Sequence, residues 1–237
     1  MVSIQWYPGH IAKYERQLKD LLKMVDVVVE VLDARMPSAT INPRLQNTLR
    51  DKPRLLVLNK TDLADPKQTR QWQARLAEAD EVKVMTYEAK QGGQKAQLVN
   101  AILKLGEAKM QKLMAKGLKR RPVRVLVAGM PNVGKSSIIN SLVSKKKVQT
   151  GHKAGVTRTH QWVRIHPDIE LLDSPGIIPP FLESEETGAL LATVSSVGEA
   201  AFDDEEIARF LAEHIEGLYP GLLHRHFGLA PELALNL

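Results

Sequence analysis

The 237-residue chain contains no cysteine. That excludes disulfides and cysteine-ligated zinc or iron–sulfur centres, and it accords with a reducing compartment, so a cytoplasmic location is expected. No stretch approaches the roughly 18 apolar residues needed to cross a membrane, and no membrane partner is expected. The first ten residues, MVSIQWYPGH, lack both the apolar core of a signal peptide and the Arg/Ser-rich character of a transit peptide. Internal repeats and low-complexity tracts are missing too. Basic residues are scarce in one region only. From Ile178 onward eleven acidic residues face two basic ones, Arg209 and Arg225, which is about −9; the overall charge of +6 therefore leaves about +15 on residues 1–177. A main domain that basic implies a polyanion such as RNA as a partner, or else a solvated basic surface.

What is present is a GxxxxGKS string, Gly129-Met130-Pro131-Asn132-Val133-Gly134-Lys135-Ser136. It follows an apolar run, Val123–Ala128, that predicts a buried strand, and it precedes a helical pattern beginning near Lys135. This is the context of a phosphate-binding loop. Glycines let successive backbone N–H groups turn inward on an anion, and the helix N-terminus adds partial positive charge. Asn132, Val133, Gly134, Lys135, Ser136 and Ser137 are the expected phosphate contacts, with Lys135 on the β- and γ-phosphates and Ser136 on Mg²⁺.

Elsewhere strands alternate with helices. Ile11–Lys23 carries apolar residues at helical spacing; Val25–Leu32 is a β-branched run that predicts a buried strand, Arg54–Leu58 predicts a second buried strand and Val82–Tyr87 a third strand. Helices are expected over Arg44–Arg50, Pro66–Ala79 (capped by Asp65) and Gln94–Met114, with a Pro-containing loop at Met36–Pro43 and a basic bridge at Lys109–Arg124. Gln161–His166 and Ile169–Leu172 predict a strand pair hinged at Pro167-Asp168. After Pro179-Pro180 the composition turns acidic and Ala-rich, predicting two or three helices. The expected organisation is an α/β domain over 1–178 with a mostly parallel six-stranded sheet, then a small all-α domain over 179–237. In such sheets ligands sit at the C-terminal ends of the strands.

Further motifs fall at those ends. Asn59-Lys60-Thr61-Asp62 fits NKxD. The Asp62 carboxylate can accept from the ring N–H and the exocyclic amine of guanine, a pairing adenine cannot match. Asn59 would support the loop, the Lys60 stem would cover the ring, and Ala89 and Lys90 would meet the base through backbone. Asp173-Ser174-Pro175-Gly176 fits DxxG, with Asp173 on Mg²⁺ and the Gly176 N–H on the γ-phosphate. Thr157 lies between the phosphate loop and DxxG, where a switch threonine closes on Mg²⁺. Alone, each pattern is equally a turn after a strand. Together they make the set of a GTPase, binding GTP or GDP with Mg²⁺ on Ser136, Thr157 and Asp173. The base-reading pieces precede the phosphate-reading pieces, so the expected fold is a circularly permuted Ras-like P-loop GTPase domain. Asp33 and Arg35, after the first strand, are either a structural pair or a nucleotide contact. Trp72 and Trp162 read as packing residues, and His224 and His226 as surface residues of a terminal helix.

The strings Gln5-Trp6-Tyr7-Pro8-Gly9-His10, Asp33-Ala34-Arg35-Met36-Pro37, Asn42-Pro43, NKTD, GMPNVGKS, GVTRTHQW and DSPGI occur in this order. In them the chain resembles the circularly permuted ribosome-assembly GTPases of the YlqF/RbgA family. The resemblance implies a GTPase acting late in assembly of the large ribosomal subunit, with the pre-subunit and its rRNA as partners, most simply as a monomer. The residue after DxxG is Ile177, which cannot orient water by hydrogen bonding. The resemblance offers His10 as the water-positioning group beside Lys135 and Thr157, and Asn132 as a ligand for K⁺. Two other readings stay open: a nucleotide-gated RNA-binding module with incidental turnover, and a small-subunit assembly GTPase.

Overall fold

The computed structural model describes residues 11–78, 82–89, 93–143, 161–173, 184–198 and 202–228. The chain divides into two compact units, one spanning Gly9–Pro179 and the other taking in the C-terminal segment from Pro180.

The larger unit is built on a six-stranded sheet: β1 (Val27–Asp33), β2 (Arg54–Asn59), β3 (Val82–Tyr87), β4 (Val123–Ala128), β5 (Gln161–His166) and β6 (Ile169–Asp173). The spatial order is β3-β2-β1-β4-β6-β5. Every pairing is parallel except β5 with β6, which form an antiparallel hairpin. Counting from β4 instead of β1, and passing from β6 to β1, turns this into the Ras-like order 2-3-1-4-5-6 with only the second strand antiparallel. The expected permutation is therefore present in the topology. All seven residues of β1 are buried, as a strand covered on both faces by helices requires.

Strand alternation divides the core into two layers. Leu18, Leu21 and Leu22 of α1 (Ile11–Met24) and Leu45 and Leu49 of α3 (Pro43–Leu49) pack with Val28, Leu126, Ala128 and Leu172, and Trp162 leans on this cluster. Leu32, Leu56 and Leu58 pack with Trp72 and Leu76 of α4 (Pro66–Ala77). Both tryptophans are thus packing residues, each also carrying an arginine over its ring (Arg75 on Trp72, Arg124 on Trp162). The opposite layer holds α5 (Lys95–Ala115), which packs against β1, β2 and β4. Gly106 permits that approach, since a Cβ there would stand 2.6 Å from a Val123 methyl.

Among the buried polar residues is a carboxylate in the middle of β1. Glu30, fully buried in β1, accepts two bonds from the Gln46 amide at 3.0 and 3.1 Å and has Arg54 at 3.8 Å. Burial outweighs Arg54 and Gln46 and pushes its carboxyl up to about 7.

Three expectations need amending. The loop Met36–Pro43 contains a short helix, α2 (Pro37–Thr40), started by Pro37 and closed by the Thr40 hydroxyl donating to Met36 O at 2.9 Å. The basic bridge is shorter than Lys109–Arg124: α5 continues to Ala115 and β4 begins at Val123. Within the remainder, Arg121 donates bidentately to buried Asp26 at 2.7 and 2.9 Å, and Arg120 pairs with Glu107 on α5. Those two cations serve the fold. Third, His224 is half-buried rather than a surface residue, while His226 is exposed.

The C-terminal unit contains α7 (Glu185–Thr193), α8 (Asp204–Leu218) and α9 (Leu222–Phe227). Ser184 caps α7 and Asp203 caps α8 through their side-chain oxygens. Its core is Ala189, Ala192 and Ile207 with Phe202 and Phe210 against them.

Candidate functional site

The parallel sheet puts the C-terminal ends of β2, β1 and β4 side by side. After β2, Lys60 turns the chain in the left-handed region (φ 63°) into a 3₁₀ turn, Thr61–Leu63. After β4, the loop curls through Asn132 (φ 56°) and Gly134 (φ 100°) into α6 (Lys135–Leu142). Gly134 is required on two counts, its positive φ and the Asn59 amide standing where a Cβ would go.

The two turns are hydrogen-bonded to each other. Buried Asn59 donates from Nδ2 to Val133 O at 2.8 Å and accepts at Oδ1 from Ala89 N at 3.3 Å. Lys60 Nζ donates to Asn132 O at 2.7 Å. Lys60 Nζ also pairs at 2.9 Å with Asp33, the last residue of β1, which lies between the two turns. Asp33 is clamped bidentately by Arg35, Nε to Oδ1 at 2.9 Å and Nη2 to Oδ2 at 2.8 Å. Burial raises the Asp33 carboxyl, but the bonds from Arg35 and Lys60 outweigh it and hold it below the usual carboxylate range.

A cavity of about 230 Å³ opens between the turns, lined by Arg35, Asn59, Lys60, Asp62, Leu63, Ala89, Gly134 and Ser137. Asp62 is exposed on its rim. Behind it, Lys135 Nζ donates to Gly129 O at 3.0 Å and Met130 O at 2.6 Å. Burial lowers Lys135 to about 8. The Ser136 residue, in the first turn of α6, is exposed. β6 ends at Asp173 beside β4, the strand that leads into the loop. The arrangement presents amides and a lysine for phosphates next to a carboxylate for a base.

Comparison with known proteins gives the same picture. The ribosome biogenesis GTPase A of Priestia megaterium is 38% identical over 96% of this chain and 79% of its own length. This chain belongs to the ribosome biogenesis GTPase A family. The Bacillus cereus member is 38% identical over 95% of this chain and 76% of its own. The 50S ribosome-binding GTPase family matches residues 124–216. Among solved structures, GNP-bound YlqF from T. maritima superposes with a TM-score of 0.62 at 29% identity, covering 94% of this chain and 84% of that one. The chain is accordingly a GTPase.

Of the residues expected at the site of a ribosome biogenesis GTPase A, the structure gathers Asn59, Lys60, Asp62, Ala89, Gly134 and Ser137 around one cavity. Asn132 and Val133 contribute carbonyls that hold the base-side turn. His10, Lys90, Thr157 and Gly176 lie outside the described residues, as does the Asp173 side chain. Sequence reasoning did not assign Leu63 to the cavity, although its place directly after NKTD pointed there. Asp33 and Arg35 make the ion pair that was one of two readings, and Arg35 also stands on the cavity wall.

Proposed function

We propose that this GTPase is a nucleotide-controlled switch in late assembly of the large ribosomal subunit, bound to the pre-subunit and its rRNA in the GTP state and released on hydrolysis. The observation that carries the nucleotide part is the paired turn: Asn59 and Lys60 of NKTD donate directly to carbonyls of the phosphate loop, so one cavity offers both a base reader and a phosphate reader. The ribosomal part rests on the names of the relatives and on the basic composition of residues 1–177.

In this reading Asp62 accepts from guanine, the Lys60 stem covers its face, and Ala89 and Lys90 meet it through backbone. The loop amides of Asn132–Ser137 and Lys135 hold the phosphates. Ser136, Thr157 and Asp173 are hydroxyl and carboxylate oxygens, the hard donors Mg²⁺ prefers, and Ser136 is open to solvent at the first turn of α6. Bound Mg²⁺ supplies charge neutralisation on the phosphates. Thr157 and Gly176 close when a γ-phosphate is present, which gives the switch its two states. His10 orients the attacking water in place of a glutamine, and Asn132 is the ligand for a K⁺ ion if one takes part.

The test is GTP turnover with separated ribosomal subunits, and co-sedimentation with each in GDP and in a non-hydrolysable analogue. Stimulation by large subunits and analogue-dependent pelleting with them is the expected result. Stimulation by small subunits alone overturns the assignment. His10→Ala should lose turnover while retaining binding.

A further inference from the structure

Asp62 is exposed on the cavity rim and makes no hydrogen bond or ion pair among the described residues, although two cations, Arg35 and Lys60, stand on the same cavity wall. Lys60 is two residues away in the same turn, and the Arg35 guanidinium already feels the Asp62 charge. Both side chains have flexible stems, and an exposed carboxylate is an ordinary destination for either. What prevents it is Asp33. Its side chain is fully buried, and it accepts from Arg35 Nε, Arg35 Nη2 and Lys60 Nζ between 2.8 and 2.9 Å. A structural pair needs one cation; this carboxylate holds two, and one of them continues on to Asn132 O in the phosphate loop.

We propose that Asp33 is a positioning residue that sets base specificity: by holding Arg35 and Lys60 it keeps these two cations off Asp62, so that Asp62 can accept from the ring N–H and exocyclic amine of guanine. The proposal rests on reading the cavity as the guanine site. Its geometry follows from topology. β1 lies between β2 and β4, and the register sets Asp33 opposite Asn59, which brings the Asp33 carboxylate within reach of Lys60. In a buried setting the ion pairs are strong enough to outcompete a solvated carboxylate. Without the Asp33 charge, the two cations turn to the carboxylate that lines the cavity with them, Asp62, and occupy its lone pairs.

The test compares the dissociation constants of GDP and IDP, which lacks the exocyclic amine, in the full chain. Wild type should prefer GDP by at least about tenfold, the worth of a hydrogen bond to a charged acceptor. Asp33→Asn should bring the two within about twofold. Arg35→Met should keep the preference, because Lys60 remains held. If D33N does not fold, D33N/R35M is measured instead, and it too should lose the preference, since Lys60 is still released. An intact GDP/IDP ratio in the Asp33 variant, with both nucleotides weakened alike, makes Asp33 merely structural and overturns the proposal. So does a loss of preference in R35M as large as in D33N. A wild-type chain that binds both nucleotides alike, or neither, overturns the reading of the cavity itself.

Discussion

Raising the pH should weaken GDP binding through Lys135 alone. In the free protein burial lowers this lysine to about 8. Contact with the phosphates holds it charged in the complex, because an adjacent anion favours the ammonium form. The apparent affinity then follows the fraction of free protein that is already protonated, roughly nine-tenths at pH 7 and about a quarter at pH 8.5. A loss of about fourfold in affinity is expected over that interval. It stays below the pH at which the guanine N1 proton is itself lost. Binding at pH 8.5 should take up roughly three-quarters of a proton per nucleotide, against about a tenth at pH 7. Titration calorimetry in two buffers of different ionisation enthalpy reads that uptake directly. The same depression carries a stability consequence. A base with a lowered folded pKa destabilises the fold wherever it must be charged, and the penalty disappears as pH rises from 8 towards 10.5. Lys135→Met should therefore stabilise the nucleotide-free protein at pH 7 by up to about 3 kcal/mol while abolishing binding. Affinity that is flat from pH 7 to 8.5, with no proton uptake, would refute the reasoning.

Two further perturbations address the scaffold. Glu30 has its folded pKa raised from 4.5 to about 7, so the native state retains a proton that the unfolded chain has lost, and stability falls as pH rises through that window. Glu30→Gln should match wild type in urea unfolding at pH 4.5 and exceed it by about 3 kcal/mol at pH 8; equal stability at both pH values would count against it. Asp26→Ala strands Arg121 and the Arg124 N–H, which donates to the same carboxylate at 2.9 Å. A loss of about 3 kcal/mol by denaturant midpoint is expected, and a loss below about 1 kcal/mol would mean that solvent satisfies both donors.

The local features of this molecule were legible because each motif is short and self-contained. A phosphate loop needs its glycines, its lysine and the helix start within eight residues, and β4 and α6 occur at Val123–Ala128 and from Lys135 as read. The permuted sheet followed from the order of motifs, since each must lie at a strand end. α2 was missed because four residues give no periodicity; only Pro37 at its start hints at a helix. The Asp33–Lys60 and Asp26–Arg121 pairs were not legible at all. They join residues 27 and 95 positions apart and depend on which strand lies beside which, information that no local pattern carries. The exposure of Asp62 likewise depends on how the turn is held, not on the identity of its residues.

The sheet order has a consequence for synthesis. β1, β2 and β3 emerge first and can pair among themselves, with β1 buried to its last residue in the finished protein. Its second edge belongs to β4, which does not exist until residue 128 has been made. A nascent chain of the first 115 or so residues therefore carries an apolar strand, VVVEVLD, with an open edge, the kind that captures foreign strands. Only Val123–Ala128 closes it, and that same strand delivers the phosphate loop. Protection of the growing chain and delivery of the phosphate loop thus arrive together, just past the midpoint of the chain and before Thr157 and Asp173 have been made.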